Sequence, residues 1–130
     1  MKNILYLSVA LAVSATIFFI AGCTGATSPD QIVFPATNVS YSQQVEPYFA
    51  LGCVTCHDVG NSTVDLSSWI AIMDDLGVVV MLPTKPPMGD TTASSLVLVM
   101  YGKELHSPIS ANDNQRQGIK QWVLEGAKDN

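Results

Sequence analysis

Five consecutive residues, Cys53-Val54-Thr55-Cys56-His57, place two thiols and an imidazole within about one turn of chain. The chain has 130 residues, three cysteines and two histidines, so its soft ligand chemistry is concentrated in this segment. Whatever fold forms must present these three groups to a single object. A domain of this size buries a limited share of its surface and commonly relies on a disulfide, metal or cofactor as a staple. An odd number of cysteines argues against a disulfide framework and leaves each thiol in need of its own explanation.

The C-x-x-C-H spacing is that of c-type haem attachment. Two thiols three positions apart can each add across one haem vinyl group: a sulfur–carbon bond forms, and the hydrogen passes to the other vinyl carbon. The adjacent His57 then faces the iron as its proximal axial ligand. C-x-x-C also serves dithiol exchange, but no βαβ pattern surrounds it here and that chemistry gives His57 no role. Zinc would normally take four protein ligands, and no second Cys or His pair follows. The expectation is one covalent haem c, held by Cys53 and Cys56 and ligated by His57.

The start of the chain reads as an address. Lys2 precedes an uncharged apolar run from residue 4 to 21, ending in small residues, as in a secretory signal. Phe19-Ile20-Ala21-Gly22-Cys23 resembles the lipobox of bacterial lipoproteins, in which the chain is cut before the Cys and that Cys is acylated. Cys23 is thus the expected lipid anchor. A competing reading is an uncleaved membrane helix, for which roughly 18 apolar residues suffice. Both readings export the remainder and tether it to a bacterial membrane, facing the periplasm or the cell exterior. Thr24 is compatible with outer-membrane sorting.

Residues 24–40 are rich in Thr, Ser, Ala, Asn and Pro without periodicity and read as a linker. The expected organisation is a signal peptide over 1–22, a lipid-anchored linker over 23–40 and a domain over 41–130. A net charge of −5, with six scattered basic residues, excludes a nucleic-acid surface and suits partners with basic docking patches.

Within the domain, the spacing of Val45, Tyr48 and Phe49 predicts a helix over 41–51, with Gly52 allowing the turn into the motif. A second helix is expected over 65–75, with Leu66, Trp69, Ile70 and Met73 on one face. The apolar run 78–82 is compatible with a strand or an extended segment. Pro83, Pro86 and Pro87 enforce a loop, and a helix over 92–101 ends at Gly102. The closing helix is expected to start at Ser110 with Asp113 three residues on. Its buried face is Ile119, Trp122, Val123 and Gly126, the glycine allowing close helix contact.

Several segments carry a family resemblance. Val45-Glu46-Pro47-Tyr48-Phe49 looks like an opening helix and Val64-Asp65-Leu66-Ser67-Ser68-Trp69 like a Leu-x-Leu-x-Ser-Tyr segment. Ser94-Ser95-Leu96 matches Ser-x-Leu, and Gln121-Trp122-Val123-Leu124-Glu125-Gly126-Ala127 matches a Trp-Ile-x-x-Gly-Ala ending. In this order around C-x-x-C-H, residues 41–130 resemble the short class I-like cytochrome c modules often labelled planctomycete-type. The resemblance implies an all-α, small cytochrome c-like domain of short helices around one covalent haem. It also implies that the last helix crosses the first near the haem edge.

The sixth iron ligand departs from that pattern. Where those modules usually carry the Met of a Met-Pro stretch, this chain has Leu105-His106-Ser107-Pro108. His106 is therefore the expected distal ligand, with Met88 of the Pro86-Pro87-Met88-Gly89 loop as the alternative and Met100 or an open site as outsiders. The function implied is a membrane-tethered monohaem one-electron carrier, not an enzyme, working between redox partner proteins. The rivals are a haem subunit of a larger respiratory complex and a small-ligand-binding sensor or peroxidase-like protein with an open distal site.

Overall fold

The computed structural model describes residues 25–60, 64–80, 91–103, 106 and 109–130, with the backbone alone for 75–80. A 3₁₀ turn (Pro29–Gln31) and a π-helical turn (Tyr41–Val45) precede four helices. These are α1 (Glu46–Gly52), α2 (Trp69–Val80), α3 (Ser95–Met100) and α4 (Asp113–Leu124). No strand occurs among the described residues, so the fold is small and helical, as expected.

The closing helix α4 organises the core. The Asn112 side chain accepts the Gln115 N–H at 3.0 Å while the Gln115 side chain accepts the Asn112 N–H at 2.9 Å. This reciprocal capping box starts the helix two residues later than the expected Ser110. Asp113 is one methylene shorter than Gln115 and reaches back less far, whereas the Gln115 amide accepts the Asn112 N–H and also donates to Pro29 O. Below it, Trp122 lies fully buried, 5.9 Å from the Tyr41 ring and edge-on to Phe49 at 6.4 Å. The segment that leads into the cysteine motif therefore packs directly against the closing helix.

Gly126 is not a helix-contact glycine. It has φ +97° beyond the end of α4, where its N–H reaches Val123 O and the Ala127 N–H reaches Trp122 O. Gly102, at φ +64°, closes α3 in the same way, with Lys103 N–H on Leu98 O. Both are chain-reversing caps that satisfy carbonyls orphaned at a helix end. The close approach expected of Gly126 belongs to Gly118 instead, which faces Phe34.

Helix α2 begins later than expected, after the Asp65 carboxylate accepts the Ser67 N–H at 2.8 Å and the Ser68 hydroxyl accepts the Ala71 N–H at 3.2 Å. These side-chain bonds compete with helix over 65–68 and cap it from Ser68 onward. The shift also turns its face: Ile72 is buried with Trp69 and Met73 beside it, while Ile70 is 66% exposed. Residues 78–80 continue α2 instead of forming a strand.

The linker expectation fails from Pro29 onward. Residues 29–40 form a strap across α4, burying Ile32, Phe34 and Val39 in the core. Asn114 holds the Phe34 backbone at both its N–H (2.8 Å) and its C=O (2.9 Å), and Gln115 donates to Pro29 O at 2.7 Å. The Glu125 carboxylate accepts the N–H groups of Asn38 (2.7 Å) and Val39 (2.9 Å). Backbone groups without a regular partner are thus satisfied by side chains of α4 and of Glu125 at its C-cap.

Candidate functional site

Helix α1 delivers the motif. The N–H groups of Cys53 and Val54 both close on Phe49 O, and those of Cys56 and His57 then close on Cys53 O at 3.1 and 3.0 Å. The five motif residues thus coil into one further turn, as their spacing predicts. Gly52 serves this differently than expected: a side chain there would lie 3.3 Å from Pro29, so glycine lets the strap approach.

Cys53 and Cys56 are both free thiols, the first half-buried against the core and the second exposed. Burial, and secondarily the neighbouring Cys56, pushes the Cys53 thiol up to about 11. It is therefore held as the thiol at neutral pH, which lowers its reactivity in exchange.

His57 is held by its own backbone and by its ring. Its N–H donates to Cys53 O, its C=O accepts the Leu66 N–H at 2.9 Å, and its Nδ1 lies 3.2 Å from Val64 O. A carbonyl can only accept, so Nδ1 donates in that bond, and the ring is held with Nε2 toward His106. This is the usual way in which a backbone carbonyl fixes the ligating nitrogen of a histidine.

His106 stands opposite, its Nε2 3.4 Å from that of His57, with ring centres 5.7 Å apart and planes within 18°. The near-parallel planes do not mean face-to-face stacking. Taking 3.4 Å from 5.7 Å leaves about 2.3 Å. That is two centre-to-corner radii of about 1.1 Å for a five-membered ring with bonds near 1.33 Å. Centres this far apart require the two rings to point at each other end to end.

The donor set fits a haem. The imidazoles of His57 and His106, facing each other, could hold a haem iron between them, and the thiols of Cys53, one helical turn before His57, and of adjacent Cys56 could form its thioethers. Among the described residues no group of three or more His, Cys, Asp or Glu side chains converges on a metal position; an axial pair requires none.

Other expected residues fall elsewhere. Met100 is only 4% exposed and belongs to the core, its carbonyl accepting from Arg116 Nε at 3.1 Å. Cys23 and Met88 lie outside the described residues. Among the described residues no helix is long and apolar enough to cross a membrane. The Val64 carbonyl that orients His57 had no signal in the sequence, because any residue supplies a backbone oxygen. In comparisons with known proteins, no family model matches the chain, and neither a curated protein nor a solved structure is found similar to it.

Proposed function

We propose that the protein is a c-type cytochrome with one haem bound through thioethers of Cys53 and Cys56 and ligated by His57, anchored outside the cytoplasm through Cys23. The observation that carries this reading is the oriented imidazole: His57 Nε2 faces outward from the C-x-x-C turn because Val64 O engages Nδ1. When bound, a haem would supply one-electron Fe(III)/Fe(II) chemistry, between a reduced donor protein and an oxidised acceptor. The chain's own residues attach the group, fix its proximal ligand and shield one side with the core on which Cys53 and Val54 pack. Its acidic charge favours partners with basic docking patches.

The test is expression with the native signal in a bacterium that matures haem c, followed by haem staining of a denaturing gel and intact mass measurement. One haem per chain should survive denaturation, and the Cys53→Ala/Cys56→Ala variant should lose it. A mature chain without covalent haem would refute the proposal. Lipid labelling abolished by Cys23→Ala would support the anchor.

A further inference from the structure

Resting on that reading, we infer that His106 is the second axial ligand, giving a bis-histidine iron closed to outside ligands, because its Nε2 faces the His57 Nε2 end to end. Two bonds of about 2 Å to one metal put trans nitrogens about 4 Å apart. The pair stands at 3.4 Å already, so about 0.6 Å of opening along the existing axis admits the iron. No rotation of either ring is needed.

Direction discriminates between metals: a tetrahedral ion would have the two nitrogens converge at about 109°, whereas the two rings lie collinear, with centres 5.7 Å and nitrogens 3.4 Å apart. Opening that axis to admit a metal between opposed donors would take the centres to about 6.3 Å. Such a pair suits a centre whose equatorial plane is already filled, as porphyrin fills it.

The two histidines come from different halves of the chain. His57 is locked locally to Cys53, Leu66 and Val64. His106 lies between two fixed points, the α3 cap at Lys103 and the α4 capping box at Asn112. His106 thus follows α3 and precedes α4 in the chain, so its ligation would tie both helices to the haem. With both axial positions taken by imidazole, carbon monoxide and cyanide have no iron site unless His106 leaves. The potential is then lower than a Met/His pair would give.

The deciding measurement is near-infrared magnetic circular dichroism of the matured ferric protein, with carbon monoxide added to the ferrous form. A charge-transfer band at the His/His position and no carbon monoxide adduct are expected. His106→Met should move the band to the Met/His position and raise the potential, and His106→Ala should admit carbon monoxide. A Met/His band in the wild-type protein, or a wild-type spectrum in His106→Ala, would overturn the assignment while leaving a haem protein. Absence of covalent haem would instead sink the underlying reading together with this one.

Discussion

Replacing Gly118 by Ala tests how the strap is seated, because the expected effect reverses sign with its neighbour. A Cβ on Gly118 would stand 2.1 Å from Phe34 Cγ and 2.3 Å from its Cβ and Cδ1, far inside the roughly 3.5 Å of carbon contact. Phe34 cannot slide aside, since Asn114 holds both its backbone groups and its ring meets Tyr48 edge-on at 5.7 Å. The ring must leave its site, forfeiting up to about 3 kcal/mol of burial. Alanine returns about 1 kcal/mol over glycine within a helix. The net loss is about 2 kcal/mol, or about 10 °C in Tm for a domain of this size. In a Phe34→Gly background, which also removes the Cβ, the clash is gone, and Gly118→Ala should stabilise by about 1 kcal/mol. Urea unfolding followed by far-UV circular dichroism measures all four corners of this cycle. The same sign in both backgrounds would refute the packing argument.

Three further outcomes follow from the same contacts. Burial raises the Glu125 pKa, but hydrogen bonds from Gln121, Asn38 and Val39, with Lys128 nearby, outweigh it and hold the carboxyl below the usual range. Its contribution is therefore full above the unfolded pKa of about 4.3 and lost as pH falls through the folded value. Glu125→Gln should cost about 1 kcal/mol at pH 7 and flatten this part of an acid unfolding curve. The Tyr41 hydroxyl is buried without a hydrogen-bond partner, and burial, aided by Glu46 and Asp129, pushes its pKa to about 12. Tyr41→Phe should leave thermal stability unchanged or raise it by up to about 1 kcal/mol, and a loss above that would show the hydroxyl to be engaged. A chain starting at Tyr41 forfeits Ile32, Phe34 and Val39, about 1.5 to 3 kcal/mol each, which rivals a whole domain's stability. It should fail to unfold cooperatively in a thermal scan, whereas a chain starting at Gly25 should unfold cooperatively.

Elements that depend on local chemistry were legible in the sequence. The helix before Cys53, the stop at Gly102 and the buried Trp122 follow from apolar spacing and from a glycine beyond a helix end. Boundaries shifted where two local devices competed: Asn112 with Gln115 displaced Ser110 with Asp113, and the Asp65 and Ser68 side chains delayed α2 to Trp69. At the site, C-x-x-C-H was visible as spacing, and the family resemblance put His106 where those modules carry a Met. The end-to-end approach of the two rings was not visible, because it depends on where α3 and α4 place a residue 49 positions away.

The strap was the least legible part, for a physical reason that bears on function. Its buried residues Ile32, Phe34 and Val39 follow neither a helical nor a strand period, because its backbone bonds go to the side chains of Asn114, Gln115 and Glu125, about 80 positions downstream. Composition therefore suggested slack chain where the structure has a docked segment. With Cys23 acylated as proposed, the segment left between the anchor and the docked strap, with Thr27 and Ser28 bonded to Gln31, shortens from 24–40 to 24–26, and its extended reach falls from about 60 Å to about 10 Å. A body held that close to its anchor meets partners at the same membrane surface and has little access to distant ones. The strap also ends at Ser40, directly before the π-helical turn and α1 that lead into the cysteine motif, so the tether and the proposed haem site are joined by one segment docked on α4.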